Sequence, residues 1–166
     1  MRGFLMAVLV LSGCATAGSS SSLGDVKLRP YTSLAAPPSQ FSVQPGRIVS
    51  SDLEATIGSD GCVVGTLAGG PVKLCKTSEE QQGIDRTEHW IGSGGELTLQ
   101  LQGGGKQLRV DGWVTGGNAV HINQRVSLPL GTGPQWDEIR RHPILLALAA
   151  AVSGVDGDPP PGFAPG

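Results

Sequence analysis

ELTLQLQGGGKQLRVDGWV, residues 96–114, alternates apolar and polar side chains on both sides of a glycine run. The apolar positions are Leu97, Leu99, Leu101, Leu108, Val110 and Val114. A period of two is typical of a strand with one buried face. The stretch therefore predicts an antiparallel hairpin that pairs Leu99 with Val110, because a shift by one residue would oppose leucines to charged residues.

A third strand is predicted after a second glycine turn. Its apolar positions are Val120, Ile122, Val126, Leu128 and Leu130. Two registers keep these residues in phase with the second strand. The register that places Val126 beside Val110, and Arg125 beside Asp111, is favoured because the other opposes Arg109 to Arg125. Residues 96–130 are thus predicted to form a three-stranded antiparallel meander.

Two cysteines, Cys62 and Cys75, flank a second hairpin signature. A turn at Ala68-Gly69 would place them directly opposite each other, at a Cα separation of about 4.5 Å that suits a disulfide. A four-residue loop over residues 67–70 would keep the same pairing. A metal site is disfavoured because two cysteines alone leave zinc short of ligands.

The remaining segments extend the fold. Residues 47–49, 53–57 and 89–91 each have strand character, which gives six or seven short strands, whereas residues 78–82 are expected to form a helical turn or a polar loop. We therefore expect a mainly β domain, a small antiparallel sandwich or barrel-like sheet, with C-terminal helical structure packed on it.

Prolines indicate where two helices start near the C-terminus. Pro134 is expected to open one through Arg141, and Pro143 a second through Val152, since proline suits the first helical position. The second segment is apolar on every face and too short to span a bilayer. It is expected to pack against the sheet, with presentation to a partner or to a membrane surface as the alternative.

The N-terminus has the pattern of an exported protein, with Arg2 before an apolar run and Leu11-Ser12-Gly13-Cys14 after it. These four residues resemble the lipobox of bacterial lipoprotein precursors. The resemblance implies that Cys14 is acylated and anchors the mature protein in a membrane. Because Ala15 stands where an aspartate retains such proteins in the inner membrane, it also implies the outer membrane.

Composition divides the chain into four parts. Residues 1–13 are interpreted as a lipoprotein signal peptide and residues 14–46 as a flexible Ser/Pro-rich tether. Residues 47–155 are interpreted as the β-rich globular domain, and residues 156–166, rich in proline and glycine, as a disordered tail.

Several function classes have little support in the sequence. The formal net charge is −2 and basic residues are scattered, which disfavours nucleic-acid binding. We find no motif of a catalytic site, a metal site or a cofactor loop, so neither enzyme activity nor a cofactor is expected.

A surface remains as the candidate site. The polar side of the meander carries Arg109, Asp111, Trp113, His121, Asn123 and Arg125. Tryptophan and arginine are enriched at binding hot spots. The favoured hypothesis is a lipid-anchored accessory or structural protein that binds another envelope protein or the cell wall. The alternative is a small barrel that holds an apolar ligand, similar in its glycine-turn pattern to lipocalin-like proteins.

Overall fold

A computed structural model describes residues 21–30, 37–117 and 125–154 of the chain, which form a mainly β structure with helices at its C-terminal end. The strands are β1 (Gly24–Leu28), β2 (Ser39–Gln44), β3 (Arg47–Val49), β4 (Leu53–Ile57), β5 (Cys62–Leu67), β6 (Gly70–Gln82), β7 (Asp85–Gly92), β8 (Gly95–Gln102), β9 (Gln107–Val114) and β10 (Val126–Pro129). The helices are α1 (Pro134–Arg141) and α2 (Pro143–Ser153).

The ten strands form one antiparallel sheet in which each strand pairs with its neighbour in sequence. The sheet curls into a half-barrel, so that β1 and β10 are its two edges. The predicted register of the meander is confirmed, since Leu99 pairs with Val110 and Val110 with Val126. Alternation fixes this register because a slip of one residue would turn the leucines toward solvent.

The hairpin of β5 and β6 also has the predicted register, and Cys62 and Cys75 form a disulfide. The turn is the two-residue form, with Ala68 at φ 48° and Gly69 at φ 83°. Both angles are positive, as the type I′ turn of a tight hairpin requires. Alanine rarely adopts this conformation, and the pairing on both sides of the turn holds it there.

The concave side of the sheet encloses α2. Every residue of α2 except Val152 is buried, which confirms that this apolar helix packs against the sheet. Both helices begin at the prolines that predicted them, and Gly154 ends α2 in the left-handed conformation. Within the described residues, no helix has the length and apolar character needed to cross a membrane.

The predicted tether over residues 14–46 is wrong for two of its segments, because β1 and β2 lie inside it. Val26 and Phe41 face each other across these strands and are buried in the core. Each of these strands has only two inward apolar residues. The surrounding prolines and serines instead favoured the interpretation of a flexible tether. The sheet therefore begins at Gly24 rather than near residue 47, and residues 1–20 and 155–166 lie outside the described structure.

The strand count is also higher than six or seven, and a single curled sheet replaces the sandwich alternative. Residues 78–82, expected to form a helical turn or a loop, are the second half of the 13-residue strand β6. Their polar character reflects solvent exposure rather than a break in the strand, since this part of the β6–β7 hairpin is mostly exposed.

Candidate functional site

The convex side of β7, β8 and β9 presents an exposed tryptophan. Glu96 pairs with Ile91 on one side and with Trp113 on the other, so these three side chains form a row across the strands. Trp113 is 45% exposed and Ile91 47% exposed. Neighbouring strands are about 4.8 Å apart, which brings the indole and the isoleucine within about 10 Å of each other. We call this side of β7–β10, with Arg125, the Trp113 face.

An ion-pair cluster lies beside the tryptophan on this face. The Arg125 Nε donates to Asp111 Oδ1 at 2.9 Å, and the Arg109 Nε lies 3.5 Å from Asp111 Oδ2. The predicted register of β9 and β10 brings these charges together. Exposed ion pairs contribute only about 0–1 kcal/mol to stability, so their main effect here is to orient side chains beside Trp113.

Neutral polar side chains complete the Trp113 face. The His89 Nδ1 and the Thr98 Oγ1 lie 3.1 Å apart, and the Gln107 Nε2 donates to Ser127 Oγ at 2.6 Å. With its charged groups largely paired, the face offers an aromatic surface surrounded by hydrogen-bonding groups. This combination is typical of protein binding surfaces, in which aromatic and arginine side chains anchor a polar rim.

The structure brings together four of the six residues predicted for this surface, namely Arg109, Asp111, Trp113 and Arg125. His121 and Asn123 lie outside the described residues, as does Cys14. Sequence reasoning missed Ile91 as a member of the surface. The signal was available in the alternation of β7, since an inward Trp90 requires its neighbour Ile91 to point outward.

A buried carboxylate lies on the concave side of the sheet, at Glu88 of β7. Its side chain is 2% exposed. The Trp90 Nε1 donates to Glu88 Oε2 at 2.9 Å, the Arg86 Nε lies 3.1 Å from Oε1, and the Lys76 Nζ lies 3.9 Å from Oε1. A buried charge needs such partners to offset its lost hydration. The group is satisfied by its neighbours, so it acts in packing rather than in substrate binding.

Two more charged groups of this region have structural partners. The hydrogen bond from Lys76 lowers the pKa of Glu79 below its usual value. Arg86 also donates from Nη2 to the backbone oxygen of Arg140, at the end of α1. The inner polar cluster of Lys76, Glu79, Arg86 and Glu88 thus connects the β6–β7 hairpin to the helices.

Helix α1 is fixed to the sheet by a second buried carboxylate, Glu138. Its Oε1 accepts a hydrogen bond from the backbone N–H of Gly46 at 2.7 Å, and its Oε2 accepts one from Arg141. Arg140 donates to the backbone oxygens of Gly105 and Gly131. These contacts join α1 to the β2–β3 turn and to the β8–β9 turn, and they leave the Trp113 face as the candidate binding surface.

The described part of the chain contains no group of three or more His, Cys, Asp or Glu side chains placed to hold a metal ion. Comparison with known proteins finds no match, since no protein-family model, no curated protein and no solved structure is significantly similar to this chain.

Proposed function

We propose that this protein is a lipid-anchored, non-catalytic accessory or structural protein of the cell envelope, held at the outer membrane through Cys14. Its Trp113 face binds another envelope protein or the cell wall. The single observation that carries the binding role is the outward tryptophan, 45% exposed, with Glu96 beside it on β8 and Asp111 two residues before it on β9. Tryptophan and arginine are enriched at binding hot spots, and here Trp113 lies beside the Arg109–Asp111–Arg125 cluster on one face.

The envelope location rests on two features of the chain. The lipobox-like motif ends at Cys14, and the remaining two cysteines form the Cys62–Cys75 disulfide. Structural disulfides persist mainly in oxidising compartments such as the periplasm and the cell surface. Both features fit a protein that leaves the cytoplasm.

The early start of the sheet shortens the proposed connection to the membrane. Only residues 15–23 separate Cys14 from β1. Nine fully extended residues span at most about 30 Å. The anchored domain would therefore work close to the bilayer surface.

The packing of α2 argues for a surface rather than an internal ligand. A small barrel of the lipocalin-like kind needs space between its sheet walls for the ligand. Here that space holds Ile144, Leu145 and Leu148 of α2, which are fully buried. The alternative of a ligand inside the half-barrel thus has no room among the described residues.

The anchor is tested by replacing the proposed acylation site. We expect Cys14→Ser to move the protein from the membrane fraction to the soluble fraction, because acyl chains contribute about 0.8 kcal/mol per buried methylene. Cys62→Ser/Cys75→Ser is the control, because it replaces the two disulfide-bonded cysteines without touching the motif, and this variant should stay with membranes. Sedimentation of Cys14→Ser with membranes at the parent level would contradict the proposal.

The Trp113 face is tested by crosslinking in intact envelopes. We expect Trp113→Ala to abolish a crosslinked species formed by the parent chain while the melting temperature stays within a few degrees, since the side chain is half exposed. Val64→Ala is the matched control: Val64 is 41% exposed and lies on β5, four strands from β9. An identical crosslinking pattern in the parent and both variants would rule out this surface.

A further inference from the structure

A groove lies where the half-barrel remains open, between the edge strands β1 and β10. Its volume is about 540 Å³, and the residues that line it are Lys27, Leu28, Arg29, Ser127, Leu128, Pro129, Leu130, Gly131 and Trp136. Small-molecule sites usually measure about 300–1,000 Å³. The groove therefore has the size of a binding site, and it lies at the sheet edge, away from the Trp113 side chain.

The walls of the groove are apolar. Leu28 and Leu128 face the concave side of the sheet and belong to the core, and Leu130 and Trp136 pack against that core while remaining partly exposed. The Trp136 indole lies against Gly131, where an added Cβ would come within 2.6 Å of Nε1. Close packing on this glycine fixes the ring at one end of the groove. An apolar chain placed here would extend the core rather than meet polar side chains.

Two cations lie at the rim of the groove. Lys27 and Arg29 are both exposed, and neither forms an ion pair with another described residue. None of the described residues that line the groove carries a carboxylate. The nearest acidic residue along β1, Asp25, accepts a hydrogen bond from Gln40. The rim is thus positively charged beside an apolar interior, which is complementary to a molecule with an anionic head and an apolar chain.

We propose that this groove binds a single-chain amphiphile with a carboxylate head, of the class of long-chain fatty acids. The carboxylate pairs with Lys27 and Arg29, and the chain lies between Leu28 and Leu128 toward Trp136. The site meets the Trp113 face only at Ser127, does not include the Trp113 side chain, and does not depend on the anchor at Cys14. It adds a ligand to a protein whose interior is otherwise filled by α2.

Calorimetric titration of the purified full-length Cys14→Ser protein tests the proposal. Palmitate, hexadecanol and acetate separate the contribution of the ligand's carboxylate head from that of its alkyl chain. We expect saturable binding of palmitate, at least tenfold weaker binding of hexadecanol, which has the same chain without the charge, and no binding of acetate. Equal affinity for palmitate and hexadecanol, or no saturable binding of palmitate, would overturn the proposal.

Charge variants of the protein locate the carboxylate head of the bound ligand. We expect Lys27→Gln/Arg29→Gln to weaken palmitate binding at least tenfold. The matched control Arg47→Gln/Lys73→Gln removes the same charge from β3 and β6, outside the groove and the Trp113 face, and should bind palmitate as the parent does. Because all four residues are exposed or partly exposed, both double variants are expected to fold. An equal loss of affinity in the two double variants would show nonspecific attraction and contradict the site.

Fluorescence quenching locates the alkyl chain of the bound ligand. Palmitate brominated near its methyl end should quench the part of the tryptophan emission that comes from Trp136. Trp136→Phe should bind this probe with similar affinity and lose that quenching. Unchanged quenching in Trp136→Phe would place the chain elsewhere on the protein and overturn the proposal.

Discussion

Leu146→Ala is expected to lower the free energy of unfolding by about 3–4 kcal/mol, the largest effect of any single truncation considered for this chain. Leu146 is fully buried in α2, the helix that packs against the sheet. The substitution removes a large apolar side chain from a site enclosed by the sheet. The loss combines the transfer free energy of the missing atoms with the cost of the cavity that they leave.

Urea unfolding monitored by tryptophan fluorescence measures this effect. The midpoint should fall while the slope of the transition stays constant, which indicates a change in stability rather than in the unfolded state. Ile84→Ala is the control, because Ile84 is 74% exposed and its truncation should change stability by no more than about 0.5 kcal/mol. A loss below about 1 kcal/mol for Leu146→Ala would mean that α2 does not form part of the core.

The meander and the helices could be predicted because each has a strong local signal. In β8 the leucines at 97, 99 and 101 alternate with polar residues, and every leucine is buried. Pro134 and Pro143 indicate where the two helices begin, since proline fits the first turn and interrupts any longer helix. Local pattern and final fold agree at these positions, so little tertiary information is needed to place them.

The two N-terminal strands could not be predicted with the same ease. β1 offers only Val26 and Leu28 as inward residues, and β2 only Phe41 and Val43. Two apolar positions do not establish a period, and the partner of β1 is set by pairing rather than by composition. The groove could not be predicted from the sequence for a related reason. Lys27 and Leu128 are about a hundred residues apart in sequence, and only closure of the half-barrel brings their strands into one site.

The second half of β6 was not predicted as a strand because all of its residues are polar and exposed, so they show no apolar alternation. Pairing places Glu79 opposite Glu88, on the side of the sheet that is apolar elsewhere. Glu79 is exposed, as a charged side chain usually is, whereas Glu88 is buried, which is rare for a charged side chain without partners. Arg86 lies two residues before Glu88 on the same strand, whereas Lys76 comes near Glu88 only because β6 pairs with β7.

Glu88→Ala should therefore destabilise the protein by about 2–3 kcal/mol, the second largest effect that we expect. Removal of the carboxylate leaves the Trp90 N–H without its acceptor and Arg86 without its ion-pair partner. Breaking a fully buried pair costs about 3–5 kcal/mol. The destabilisation expected for Glu88→Ala is smaller than this range because the Arg86 side chain is 24% exposed and regains some hydration.

Two further variants separate this effect from a general loss of charge. Glu80→Ala removes an exposed carboxylate from the same hairpin and should change stability by no more than about 0.5 kcal/mol in urea unfolding at neutral pH. Glu88→Gln keeps an acceptor for Trp90 but loses the charge, so it should fall between the parent and Glu88→Ala. Equal stability of Glu88→Ala and Glu80→Ala would show that the inner cluster is solvated and that the β6–β7 hairpin lies away from the core.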